Sequence, residues 1–153
     1  MEGLTSRGRA LDDITAELFA VNGRFLRAGD VVAAHVGLTS SRWQVMGLLL
    51  DGPATVAQLA RERGLRRQAV QQTVTRLDAE GMVATGPNPH DRRAPLVRLT
   101  EQGRGLLQEL LPIQQTWIEG LADAIPAEDL RTTLDVLHTL RHRLDEQLRP
   151  AAG

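Results

Sequence analysis

The chain has 153 residues, 42% of them hydrophobic, no cysteine and a net charge of −1. That length suffices for one domain with a sizeable core, and the absence of cysteine excludes disulfides, thiolate metal sites and thiol redox sensing. No apolar run approaches the ~20 residues of a membrane span, and Met1-Glu-Gly-Leu-Thr5 lacks the basic-then-apolar pattern of a signal peptide, so a cytoplasmic protein with no membrane partner is expected.

Residues 1–9 carry no periodic signal and are expected to fray. From Ala10 to Arg27, Leu11, Ile14, Leu18, Val21 and Phe25 recur at three- and four-residue steps, which predicts a helix with one apolar stripe, broken by Gly29-Asp30. Residues 31–37 read as a turn of helix or a buried connection. A second helix follows over Leu38–Leu50, capped by Thr39 or Ser41 and stopped by Asp51-Gly52-Pro53. The third, Thr55 to Arg63, opens with a T-x-x-Q capping box made by Thr55 and Gln58. Val56, Leu59 and Ala60 form its buried face, Gly64 supplies a left-handed residue after it, and Leu65 is expected to drop into the core.

A fourth helix, about Arg66 to Glu80, turns Val70, Val74 and Leu77 inward. Gln68, Gln72 and Thr75 occupy the opposite face, with Gln71 and Arg76 on its flanks. Gly81 ends it. Met82–Thr85 and Leu96–Leu99 alternate as strands around a turn-rich tip that carries Asp91, Arg92 and Arg93. Thr100 caps a long helix towards Ala122, which Pro112 should kink or split. After a break at 123–126, a last helix from about Ala127 to Leu148 places Leu130, Leu134, Leu137, Leu144 and Leu148 on a heptad-like seam.

These elements predict a mainly α fold with a small β-hairpin wing. It is a winged helix-turn-helix over residues 38–104, framed by helical dimerisation regions at 1–37 and 105–153. All 18 basic residues are arginine, and their placement follows the same division. Residues 61–104 hold nine arginines against five acids, whereas residues 105–153 hold four against eight. A basic centre in a neutral-to-acidic frame is the footprint of a DNA-contacting module.

At the wing, Asp91-Arg92-Arg93-Ala-Pro-Leu-Val-Arg-Leu99-Thr100, followed by Glu101-Gln-Gly103, resembles the D-x-R…L-T-x-x-G signature of the MarR family (multiple antibiotic resistance regulators). Leu38-Thr39…Trp43…Val45…Leu49 and Val70…Val74…Arg76-Leu77…Gly81-Met82-Val83 are similar to it too. The resemblance implies an obligate homodimer whose two winged helices read a palindromic double-stranded operator. It also implies that a small aromatic or phenolic effector lowers DNA affinity, and it makes Arg93 the signature arginine and Asp91 its partner. Many members have Ser or Asp where this chain has Arg66, and Thr or Ser where it has Ala69, so contacts at those two positions are not carried over.

The DNA-binding set read from the sequence is Arg66, Arg67, Gln68, Gln71, Gln72, Thr75, Arg76, Asp91, Arg92 and Arg93. A glutamine amide both donates to and accepts from adenine in the major groove, so Gln68 and Gln72 are the foremost base readers. Arginines at the wing suit a narrow, electronegative minor groove. His35, Arg42, Trp43, Met46 and Trp117 combine aromatic surface with cations and are candidates for an effector pocket. His138 and His142 stand four apart with Asp135 a turn earlier, but no third ligand is convincingly spaced, so no metal site or cofactor is expected. Catalysis finds no support: the serines are Ser6, Ser40 and Ser41, and no nucleophile elbow, P-loop or zincin motif occurs. With the resemblance, the expected function is a transcriptional repressor released by a small aromatic or phenolic ligand. Alternatives are a DNA-binding regulator that lacks an effector or answers to metal through His138 and His142, and a winged helix used for protein interaction.

Overall fold

The computed structural model describes residues 3–149. The chain divides into two compact units, Met1–Gln114 and Gln115–Gly153. In the first, α1 (Ser6–Ala33) begins within the stretch expected to fray, because the Thr5 hydroxyl caps it by accepting from Gly8 N–H at 3.1 Å. Residues 1 and 2 lie outside the described residues. Nor does Gly29-Asp30 break the helix, which continues to Ala33 and passes through a 3₁₀ turn (Ala34–Val36) into Gly37 at φ 73°. Gly29 is buried there against the next helix, so it serves a close approach and not a turn.

Helix α2 (Ser40–Leu48) is capped by Thr39, and a 3₁₀ turn (Leu49–Asp51) leads into β1 (Ala54–Thr55). Thr55 then caps α3 (Val56–Arg63) with the full capping box: its hydroxyl accepts from Gln58 N–H at 3.1 Å, and Gln58 Oε1 accepts from Thr55 N–H at 2.8 Å. Gly64 closes α3 at φ 62°. Leu65 donates its N–H to Ala60 O, but its side chain stays 48% exposed, contrary to the expected core position. It is the residue after the left-handed glycine, and the chain reversal there turns it outward. Helix α4 (Arg67–Ala79) follows, then β2 (Val83–Gly86), β3 (Leu96–Leu99) and α5 (Glu101–Ala122).

The sheet is antiparallel in the order β1-β3-β2, with Ala54 opposite Val97 and Val83 opposite Leu99. The two-residue β1 escaped the sequence reading because two residues show no alternation. Met46, Leu49, Val70, Val74, Leu77, Val83, Val97 and Leu110 are fully buried, so α2, α4, the sheet and the first turns of α5 share one core.

The wing is locked to that core at its base. Thr100 donates its N–H to Met82 O at 3.1 Å, its hydroxyl donates to Gly81 O at 2.6 Å, and the same oxygen caps α5 by accepting from Gly103 N–H at 3.0 Å. A Cβ at Gly103 would overlap the Met82 carbonyl oxygen. The L-T-x-x-G part of the motif is thus a packing device: Leu99 is buried, Thr100 ties two segments, and Gly103 permits their contact.

Pro112 neither splits α5 nor ends it. The carbonyl that loses its donor, that of Gln108, sits on an exposed residue where it can be hydrated. The second unit holds the end of α5, a break ending at Pro126, and α6 (Ala127–Leu148), whose Leu130, Leu134, Leu144 and Leu148 are all exposed.

Gly103→Ala should lower unfolding free energy in urea by about 1–3 kcal/mol, the usual cost of overpacking. Gly105, one residue beyond the next, faces open space. Gly105→Ala should therefore stabilise the chain, by up to about 1 kcal/mol of helix propensity.

Candidate nucleic-acid interface

Val70, Val74 and Leu77, each at most 2% exposed, fix the rotation of α4 about its axis. The opposite face then consists of Gln68, Gln72 and Thr75, all exposed. Arg67 and Gln71 lie towards the wing, and Arg76 lies on the far flank. Gln71 Nε2 donates to Thr75 Oγ1 at 3.3 Å, which orients one amide on this face before any ligand arrives.

The two ends of α4 differ. Arg66 is its N-cap in extended backbone with no side-chain cap, so the first N–H groups of α4 point outward without a side-chain acceptor from the cap. Such an end suits a phosphate. At the other end Glu80 meets Arg42 of α2 at 3.0 Å and Arg76 at 3.8 Å. Arg42 is only 15% exposed, so this pair, less screened than one on the open surface, ties the C-terminal end of α4 to α2.

Between α4 and the wing runs a groove of about 530 Å³, lined by Arg67, Gln68 and Gln71 on one side and by Thr85, Arg93 and Pro95 on the other. Arg93, remote from α4 in sequence, is thereby brought to the same groove as the first turns of α4. The wing tip is built by side chains that accept and donate to backbone. Asp91 Oδ1 accepts from Arg93 N–H at 2.9 Å, and Asp91 O accepts from Ala94 N–H at 3.2 Å. Asp91 therefore holds the backbone of Arg93, while Arg92 and Arg93 project exposed side chains. Asn88, which the sequence reading passed over, donates from Nδ2 to Ala94 O at 2.9 Å and accepts from His90 N–H at 3.0 Å. The signal was present as an Asn-Pro pair opening a loop.

The effector candidates are placed as follows. Met46 is fully buried, Trp43 is half-buried, and Arg42 is engaged by Glu80. His35 Nδ1 lies 3.1 Å from the carbonyl oxygens of Val31 and Val32. Trp117 belongs to the second unit. On α6, His142 lies 3.5 Å from Glu146, and no cluster of three metal-ligating side chains occurs among the described residues. Among those residues, no helix is long and apolar enough to cross a membrane.

A family model described as "MarR family" matches residues 36–94. An uncharacterized protein of Mycobacterium tuberculosis is 37% identical over 127 residues, which is 83% of this chain and 89% of that protein. The HTH-type transcriptional repressor NicR of Pseudomonas putida is 30% identical over 109 residues, 71% of this chain and 67% of NicR. Among solved structures, CouR from Rhodococcus jostii RHA1 bound to p-coumaroyl-CoA superposes with a TM-score of 0.76 at 25% identity, covering 85% of this chain and 92% of CouR.

Two substitutions separate the parts of this interface. Arg93→Ala should weaken binding of all duplexes and reduce the slope of log affinity against log salt by about 1, as for one lost phosphate-region contact. Gln72→Ala should leave that slope unchanged but cost about 1–3 kcal/mol of discrimination at one base pair, read by competition between operator variants.

Proposed function

Because this chain belongs to the MarR family of DNA-binding transcriptional regulators, we propose that it is a homodimeric repressor, reading a palindromic operator and releasing it when a small aromatic ligand binds. The observation that carries the dimer is the distribution of uncovered apolar surface. Among the described residues, the large hydrophobics more than a third exposed fall on α1, the later part of α5, α6 and their flanks, save Leu50 and Leu65. Leu11, Ile14, Leu18, Val21 and Phe25 make one continuous stripe on α1, between 39% and 47% exposed. A stripe of that extent on a lone chain is a surface for another apolar face, and a second copy supplies the matching one by two-fold symmetry. Residues 1–37 and 105–153 are then the dimerisation region, and 38–104 the part that reads DNA.

In this reading the exposed glutamines of α4 enter the major groove and Arg92 and Arg93 follow the minor groove beside it. Two such units must stand about one turn of DNA apart, ~34 Å, to engage both half-sites. The effector reading takes support from CouR, the structural relative bound to p-coumaroyl-CoA. Trp43 and His35 offer an aromatic face and an imidazole to a ligand of that chemistry, beside the Arg42 guanidinium that Glu80 already engages. The ligand acts by preferring one spacing of the two units, and it shifts DNA binding only by its differential affinity for the two spacings.

Leu18→Glu should convert the dimer to monomer in sedimentation and abolish operator binding at concentrations where the unaltered chain is saturated. Operator-bound protein titrated with p-coumarate, p-coumaroyl-CoA and other hydroxylated aromatic acids should release DNA to at least one of them. Release by none across the panel would leave a constitutive regulator, and release on adding zinc would favour the His138 and His142 alternative.

A further inference from the structure

Glycine inside a helix costs about 1 kcal/mol relative to alanine, yet α1 carries Gly29 buried in its last turns. A Cβ there would overlap the Ser40 hydroxyl and come within 3.9 Å of Trp43 Cζ3. Ser40, only 5% exposed, donates its hydroxyl to Leu26 O at 2.7 Å and its backbone N–H to Asp30 Oδ1 at 2.7 Å. Leu26, Gly29 and Asp30 follow the i, i+3, i+4 pattern and so share one face of α1. Ser40 is the first residue of α2, and its N–H is one that no helical carbonyl satisfies. Asp30 supplies the acceptor and sets a negative charge at the positive end of the α2 dipole. The short link between the helices turns at Gly37, φ 73°, and would not by itself fix their angle. The three side-chain features do.

We propose that Gly29, Asp30 and Ser40 form the joint that sets which half-site spacing the dimer reads. This rests on the dimer reading above, in which α1 carries the interface. On that view rigid contacts run from the α1 stripe through this joint to α2, and from α2 through Arg42 and Glu80 to α4. A tilt at the joint moves both α4 helices symmetrically, and a change in their separation of ~3.4 Å equals one base-pair step. The three are positioning residues and touch no DNA.

The test uses the full-length chain and palindromic duplexes carrying half-sites selected from a random pool, with the central spacer lengthened or shortened by single base pairs. The unaltered chain should show one spacing optimum. Ser40→Ala and Gly29→Ala should each flatten that preference several-fold or move it by a base pair, with dimer mass and affinity for random DNA unchanged. Asp30→Asn, whose Oδ1 still accepts, should keep the optimum. The Gly29→Ala/Ser40→Ala double variant should recover part of it, because the methyl fills the volume the hydroxyl leaves. If the single variants lose thermal stability but keep the original optimum and its sharpness, the joint is merely structural and the proposal falls. If the unaltered chain is monomeric, the dimer reading fails and takes the joint with it; if it is dimeric but shows no spacing optimum, the dimer reading stands and the joint falls.

Discussion

Everything the interface presents depends on how α4 is rotated about its own axis. Three side chains set that rotation: Val70, Val74 and Leu77 are at most 2% exposed, among core residues contributed by α2, the sheet and α5. A helix with 3.6 residues per turn cannot bury these and also bury Gln68, Gln72 or Thr75. The hydrophobic effect acting on one face thereby decides which amides meet the solvent on the other. No polar contact is needed to set that face, and on it Gln71 Nε2 already donates to Thr75 Oγ1.

The axial position of α4 is governed differently at its two ends. Its C-terminal end is held by the Arg42–Glu80 pair, while its N-terminal end has no side-chain cap at Arg66. The wing is fixed to the same frame by Thr100 and Gly103, so the tip carrying Asp91 and Arg93 is a short projection from a rigid base. The exposed amides and the exposed arginines are therefore carried by separately supported pieces. The exposed glutamines lie on a helix whose face is set by core packing, and the arginines on a loop whose backbone is set by side-chain hydrogen bonds.

What could be read from the residues alone was whatever had a local cause. The capping box of Thr55 and Gln58, the left-handed Gly64 and the rotation of α4 each follow from a few neighbouring positions, and the structure shows all three. The wing's family motif was legible as a pattern, although only the structure divides it into an exposed half at Asp91–Arg93 and a packing half at Leu99–Gly103. The errors arise partly from tertiary contact and partly from loop geometry. Gly29 reads as a helix break until Ser40 is seen to fill the space where a side chain would go. Leu65 reads as core until the reversal after Gly64 turns it outward. Strand β1 exists because β3 is beside it, and no run of two residues announces that. Asn88 was overlooked because its partners, Ala94 and His90, are chosen by the shape of the loop.

The wing's dependence on Asn88 has a consequence for how the protein ages. Asparagine side chains decay when the next residue's backbone nitrogen attacks the amide carbon, closing a five-membered imide and expelling ammonia. Here the next residue is Pro89, whose nitrogen carries no hydrogen to lose. The side chain that bridges the loop to Ala94 is thus shielded from the commonest spontaneous damage to its kind, and the loop that carries Arg92 and Arg93 is spared a slow chemical clock.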